Sequence, residues 1–210
     1  MSLKLRCWLV LTLAITAAPA DARTEIFRLD PVHTRVIFLV DHAGLSRAIG
    51  SFSGASGQLH FDPEDWSTAR LEVSLPLASL DLGDAEWREK VLEPAFLDVE
   101  GQPEARFVST RVEAAGADRA RVTGQLSLRG VSRELVLDVR LNAHKRHPVT
   151  FRRSAGFSAS ARLSRRDFGI TTWPNVIGDE VELMIEAEAI RDRTPTPATE
   201  DSADADQERR

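Results

Sequence analysis

Residues 181–189 read VELMIEAEA, and their side chains alternate between two kinds. Val181, Leu183 and Ile185 fall on one face of an extended chain, because successive side chains of a β-strand point to opposite sides. The other face carries Glu182 and Glu186. The segment therefore predicts a strand with one buried and one solvated face, which is typical of antiparallel sheets.

The same two-residue period recurs along most of the chain. It is clear at 70–77, 121–129, 135–142 and 157–163, and weaker at 25–29, 34–42, 51–61 and 104–113. Eight or nine strands are expected, and several are longer than the usual ~5–6 residues. Closing long, one-sided strands on each other removes exposed sheet edges. The sequence predicts an all-β protein, an extended antiparallel eight-stranded β-barrel.

One or two short helices and one tight turn interrupt this pattern. Residues 84–96, DAEWREKVLEPAF, place Asp84 where it can cap a helix, with Trp87 and Val91 at helical spacing. Pro94 should end that helix. Gly130 lies between two strong strands and predicts a hairpin turn.

Both ends of the chain differ from its middle. Residues 1–22 have two cations, an apolar run and an Ala20–Asp21–Ala22 cleavage site, and predict a cleaved signal peptide and a periplasmic location. Residues 193–210 are rich in proline, small polar residues and acids, and predict a disordered C-terminal tail. One domain is expected between them, over residues 23–192. The single cysteine, Cys7, would leave with the signal.

The bulk charge excludes some classes of partner. The chain has 27 basic and 32 acidic residues and a net charge of −5, which argues against nucleic acid. After the signal, no apolar run approaches the ~20 residues of a membrane helix, so we expect a soluble protein that does not span a membrane. The oligomeric state stays open, a homodimer included.

Catalytic and metal-binding signals are weak. Residues 53–58, SGASGQ, fail the G-x-S-x-G pattern of a nucleophile elbow, and tyrosine is absent. His144 and His147, in HKRH, are flanked by cations and make a poor divalent-metal site; a solvated loop is the expected structure there. We predict no catalytic residue, no metal and no cofactor.

Four polar residues are candidates for contact with the polar head of a ligand. His33 and His42 each lie near a strand end, where a histidine can bind, transfer protons or satisfy backbone groups. Arg165 and Asp167 continue the inward phase of residues 157–163 and are expected at the barrel rim. There the arginine could bind a phosphate or carboxylate, or pair with Asp167.

Several longer motifs resemble the YceI-like proteins. These are LDPVHTRVIFLVDHAGLSRAIGSFSGASGQLHFDPED at 29–65, VLEPAFLDVEGQPEARFVST at 91–110, GQLSLRGVSRELVLDV at 124–139 and RRDFGI at 165–170. The resemblance runs from about residue 27 to residue 190. It implies a periplasmic, lipocalin-like barrel whose apolar tunnel binds a polyisoprenoid or similar lipid, with the polar end of the lipid near the mouth.

The inward positions of the strands then become the expected tunnel lining. Small inward residues such as Gly124 and Ala159 would leave volume, or would sit opposite bulky partners in a solid core. A solid barrel acting as an interaction protein, and an enzyme using His33 or His42 as a base, are the two alternatives. The predicted lining comprises Val36, Phe38, Val40, Leu75, Leu77, Phe107, Leu126, Leu128, Leu137, Val139, Phe157, Ala159, Leu183 and Ile185.

Overall fold

The computed structural model describes residues 24–192. The predicted signal peptide and the predicted C-terminal tail lie outside the described residues. Ten strands form one sheet: β1 (Glu25–Leu29), β2 (Arg35–His42), β3 (Ser46–Phe52), β4 (Ser56–Phe61), β5 (Arg70–Pro76), β6 (Glu104–Ala114), β7 (Arg119–Leu128), β8 (Val131–Arg146), β9 (Arg153–Ser164) and β10 (Ile177–Arg191).

The ten strands occupy eight positions of a closed antiparallel barrel, as the alternation predicts. The long strand β10 pairs with β2 near its start and with β1 near its end, so β1 and β2 act as one barrel strand that is interrupted at 30–34. On their other side β3 pairs with β2 and β4 pairs with β1. The order β4-β5-β6-β7-β8-β9-β10 completes the ring.

The helix and the hairpin turn form where the sequence predicts them. Helix α1 (Ala85–Leu92) begins after Asp84, whose carboxylate accepts the N–H of Trp87 at 2.8 Å, and it ends before Pro94. Arg129 and Gly130 form the two-residue turn between β7 and β8, both with positive φ (53° and 73°). Such a turn matches the twist of the strands that it joins. Three short 3₁₀ helices lie at Trp66–Thr68, Leu77–Ser79 and Arg165–Phe168.

The connections place different structures at the two ends of the barrel. One end, here called the mouth, carries the β2–β3 turn at 43–45, the α1 segment at 77–103 and the segment at 165–176. The other end, the base, carries the turns at 62–69, 115–118 and 147–152. None of the helices within residues 24–192 is long and apolar enough to cross a membrane.

Aromatic side chains fill the base. The ring of Phe61 meets Trp66 edge-on at a centroid distance of 5.2 Å and Phe157 at 5.6 Å. Phe27, which is fully buried, lies 6.5 Å from Phe61. His144 packs against Phe27 at 5.8 Å. Edge-to-face packing of this kind adds to the stabilisation from burial.

Candidate ligand-binding cavity

The barrel interior is hollow along its axis. Inward side chains of the central strands, such as Leu126, Val139 and Leu183, pack on the core and yet keep accessible surface. That surface faces two adjoining chambers. The deep chamber, towards the base, has a volume of about 200 Å³, and the outer chamber, towards the mouth, about 220 Å³. Five residues line both chambers: Val36, Leu75, Ala105, Leu126 and Leu183.

The deep chamber is apolar, and its lining side chains are buried or half-buried. Phe61 and Trp66 from the base cluster line it, and none of its lining residues is exposed. The lining also contains the hydroxyl group of Thr34. Thr34 is 2 % exposed, and its Oγ1 has no hydrogen-bond partner within the described part of the chain. A chamber so poor in hydrogen-bonding groups holds water weakly, because a buried water needs two to four polar partners.

The outer chamber reaches the protein surface. Its lining includes Asp41, His42, Trp87 and Trp173, all of which are exposed. Trp87 belongs to α1, and its ring lies 6.2 Å from the imidazole of His42 at the end of β2. The exposed lining shows that the mouth is the side from which a ligand can enter.

The structure brings together all fourteen residues of the predicted lining. Their contact with a ligand stays a prediction. The deep chamber is lined by Phe107, Leu137, Val139, Phe157, Ala159 and Ile185, the outer chamber by Phe38, Val40, Leu77 and Leu128, and both by Val36, Leu75, Leu126 and Leu183.

The small inward residues have two different roles. A Cβ on Gly124 would lie only 2.4 Å from Cζ of Phe107, and one on Gly50 would lie 2.3 Å from Cζ of Phe38. These glycines therefore make room for aromatic rings, as the solid-core alternative expects. Ala105 and Ala159 instead border the chambers, and the interior stays hollow beside them.

Arg165 is a buried cation that ties the mouth together. It is 4 % exposed, and its guanidinium donates to the carbonyl oxygens of Gly178 (2.8 Å), Ile170 (2.7 Å), Thr172 (3.0 Å) and Ile177 (2.8 Å). Burial lowers the pKa of the Arg165 guanidinium. The group nevertheless stays charged, because arginine is not deprotonated in proteins. Four of its five N–H groups are thus used within the protein, so its main role is structural, although it lines the outer chamber.

The predicted inward position of Asp167 is wrong. Strand β9 ends at Ser164, and the 3₁₀ helix Arg165–Phe168 breaks the two-residue phase, so that Arg165 is buried and Asp167 is exposed. The carboxylate near this turn is Asp179, which accepts from Ser164 Oγ (2.9 Å) and the Arg166 N–H (3.1 Å). Burial alone would raise the pKa of Asp179, and these hydrogen bonds outweigh it and lower the pKa. Among the described residues, Arg165 and Asp167 form no ion pair.

His33 lies on the outer wall and lines neither chamber. It occupies the break between β1 and β2, where its Nδ1 meets Asp30 Oδ2 at 2.9 Å. The hydrogen bond to Asp30, with the charges of Asp30 and Glu188, raises the pKa of His33. Burial would raise the pKa of Asp30, but its hydrogen bonds with His33 and Val32 lower it. His33 therefore stabilises the break rather than the cavity.

Asp30, His33 and Glu188 are also the described residues with the geometry closest to a metal site. Their ligand atoms lie within 4.8 Å of one another. Asp30 Oδ1, however, accepts the N–H of Val32 at 2.8 Å, and Oδ2 is paired with His33. The hydrogen bonds of the turn between β1 and β2 therefore account for the closeness of these side chains without an ion.

Three of the other histidines, His42, His144 and His147, have local roles. His42 lines the outer chamber, and within residues 24–192 its imidazole makes no hydrogen bond to the protein. The solvated loop predicted for 144–147 is wrong for His144, which belongs to β8, is half-buried, and faces the base cluster. The sequence did not predict that His144 packs inward on Phe27 and Phe61, because the polar residues that follow it in HKRH interrupt the alternation that identifies a strand. His147 Nδ1 accepts the N–H groups of Val149 and Thr150, both at 3.2 Å.

A closed antiparallel barrel, with an apolar cavity that is lined by aromatic residues towards the base and by exposed residues at the mouth, defines a ligand-holding barrel of the lipocalin kind. The family model described as the YceI-like domain matches residues 27–189. The chain belongs to the YceI-like family.

Relatives and solved structures agree with this assignment. The UPF0312 protein of Serratia proteamaculans is 38% identical over 160 residues, which cover 76% of this chain and 82% of that protein. Protein YceI of Salmonella arizonae is 33% identical over 183 residues, covering 87% and 94% of the two chains.

Two solved structures share the fold. BcnA of Burkholderia cenocepacia has a TM-score of 0.67 at 23% identity, covering 74% of this chain and 95% of BcnA. A polyisoprenoid binding domain from Saccharophagus degradans, implicated in plant cell wall breakdown, has a TM-score of 0.61 at 16% identity, covering 81% and 100%.

Proposed function

We propose that this protein is an exported, periplasmic binding protein that holds one long-chain isoprenoid or a similar lipid along the barrel axis. The observation that carries the proposal is that the two chambers adjoin: Val36, Leu75, Ala105, Leu126 and Leu183 line both, which places the chambers end to end for one extended chain. The relative from Saccharophagus degradans, described as polyisoprenoid-binding, supports the chemical class.

Burial of the chain supplies enough free energy for binding. Each methylene that leaves water contributes ~0.8 kcal/mol. About ten carbons then offer roughly 8 kcal/mol, before the costs of association are subtracted. A strong contact to the head group is not required. This fits the mouth, where the buried cation Arg165 already donates to four carbonyl oxygens.

The protein binds its lipid without acting on it. Of the two histidines that could serve as a base, His33 lies outside the cavity and is paired with Asp30. His42 lines the outer chamber but has no hydrogen-bonded carboxylate to orient it among the described residues, in contrast to the usual arrangement of a catalytic base. His42 remains our candidate for contact with the polar end of the lipid.

A series of prenyl alcohols of increasing length tests the proposal. We expect the affinity to rise about fourfold for each buried methylene equivalent, because ~0.8 kcal/mol is involved. The rise should stop once the chain fills both chambers. Isothermal calorimetry would also show a negative heat-capacity change. Affinity that does not depend on chain length would contradict binding along the axis.

A further inference from the structure

The mouth is surrounded by exposed apolar side chains from three separate elements. Leu45, at the tip of the β2–β3 turn, is 87% exposed. Trp87 of α1 and Trp173 and Val176 of the 165–176 segment are also exposed. We call these four residues the rim. Scattered exposed apolar residues are normal on a protein surface, but a group around one opening is not.

The rim is held as one structural unit. The Ala43 N–H donates to the Val176 carbonyl at 2.6 Å, which joins the β2–β3 turn to the 165–176 segment. The ring of Trp173 packs edge-on against Phe96 at 5.4 Å, and the Thr172 hydroxyl donates to the Ala95 carbonyl at 2.9 Å. Arg129 adds a bond to the Pro94 carbonyl at 2.8 Å. The apolar side chains are therefore presented on a fixed frame.

We propose that the rim is a docking surface for a lipid bilayer, on which the protein rests with its mouth against the membrane while a lipid passes into or out of the cavity. This inference rests on the proposed function. Trp87 and Trp173 belong to the rim and also line the outer chamber, so the exposed apolar surface leads into the cavity, and the outer chamber adjoins the deep one.

The chemistry of the rim selects a bilayer over other occupants. Tryptophan favours the membrane–water interface, where its apolar ring and its N–H are both satisfied. A long-chain lipid is itself a component of bilayers, and its direct passage avoids exposing the chain to water. The exposed charges close to the rim are mixed and include the acidic Asp41, Asp81 and Asp84. The exposed cations Lys90 and Arg166 are each paired with a carboxylate, so these charges form no basic patch. Docking therefore depends on apolar insertion and not on attraction to anionic lipids.

The variant Leu45→Ser combined with Val176→Ser tests the docking surface. Neither residue lines the cavity, so lipid capacity should be retained. The matched control, Val149→Ser with Phe151→Ser, removes two exposed apolar side chains at the base instead. Co-sedimentation with phosphatidylcholine vesicles should fall at least about tenfold for the rim variant and stay unchanged for the control. Both variants keep the N- and C-terminal segments of the wild type, so any contribution of these segments to vesicle binding is the same in the two variants.

Three further readouts decide the result. Vesicle lipids brominated on their acyl chains should quench the tryptophan fluorescence of the wild type, and the rim variant should escape quenching. Adding phosphatidylglycerol or salt should change binding little. Transfer of a prenyl alcohol from vesicles should slow at least about tenfold in the rim variant while occupancy at equilibrium is unchanged. The docking proposal would be overturned if vesicle binding fell equally in the rim variant and in the control, or if binding required phosphatidylglycerol. A wild-type protein that takes up no prenyl alcohol at equilibrium would instead refute the proposed function.

Discussion

Replacing Arg165 by methionine is expected to lower the free energy of unfolding by about 1–3 kcal/mol, the cost of leaving buried hydrogen-bond acceptors without donors. The methionine fills a similar volume, but it cannot donate to the four carbonyl oxygens that now surround the guanidinium. Buried acceptors without donors are costly. Urea unfolding monitored by circular dichroism measures the difference.

The neighbouring Arg166 supplies the control for that experiment. Its side chain is exposed, and its Nε lies 3.7 Å from Asp179 Oδ1. An exposed pair of this kind contributes ~0–1 kcal/mol, so Arg166→Met should be nearly neutral. Amide hydrogen exchange should increase at 165–177 in the Arg165 variant and not in the control. A nearly neutral Arg165→Met would show that the carbonyl cluster does not hold the mouth together.

Replacing Ala105 by phenylalanine is expected to abolish binding of long-chain lipids. Ala105 lies on β6 where the two chambers meet, and its side chain borders both. A ring at that position would occupy the path of an extended chain, and short ligands could then fill only the outer chamber. The effect on stability should be small by comparison, because overpacking costs ~1–3 kcal/mol and is offset where the ring fills empty space.

The same substitution on the same strand gives the control. Ala114→Phe adds an identical group at an exposed position near the base end of β6. Affinity for a long prenyl alcohol should fall at least a hundredfold in the Ala105 variant, which corresponds to about 2.7 kcal/mol, and should be unchanged in the Ala114 variant. Undiminished binding by Ala105→Phe would show that the ligand does not cross from one chamber to the other.

The sequence was sufficient to predict the fold, because apolar and polar side chains alternate along any strand that has one buried and one solvated face. Runs such as 181–189 and 121–129 identify strands without further information, and Asp84 and Pro94 mark the helix. The interruption at 30–34 could not be predicted in this way. It depends on the pairing of β10 with both β1 and β2, which is a long-range property of the sheet.

The site was less predictable, since volume and position are set by packing. The alternation assigned the fourteen lining residues to one face, but it could not decide between a hollow and a solid interior. Of two small inward residues, Gly124 packs against the ring of Phe107, whereas Ala159 borders the deep chamber. The error at Asp167 had a readable signal. Ser164, three residues before Asp167, and Gly169 are typical N-terminal and C-terminal caps, and they indicate a helical turn instead of a continuing strand.

Native mass spectrometry of the purified protein, followed by organic extraction and mass analysis of the extract, tests whether the barrel holds a lipid along its axis. We expect a complex with one lipid molecule per chain, with a long unbranched or isoprenoid tail, that is lost in Ala105→Phe and kept in Ala114→Phe. Protein that carries no lipid, even after incubation with long prenyl alcohols, would contradict it.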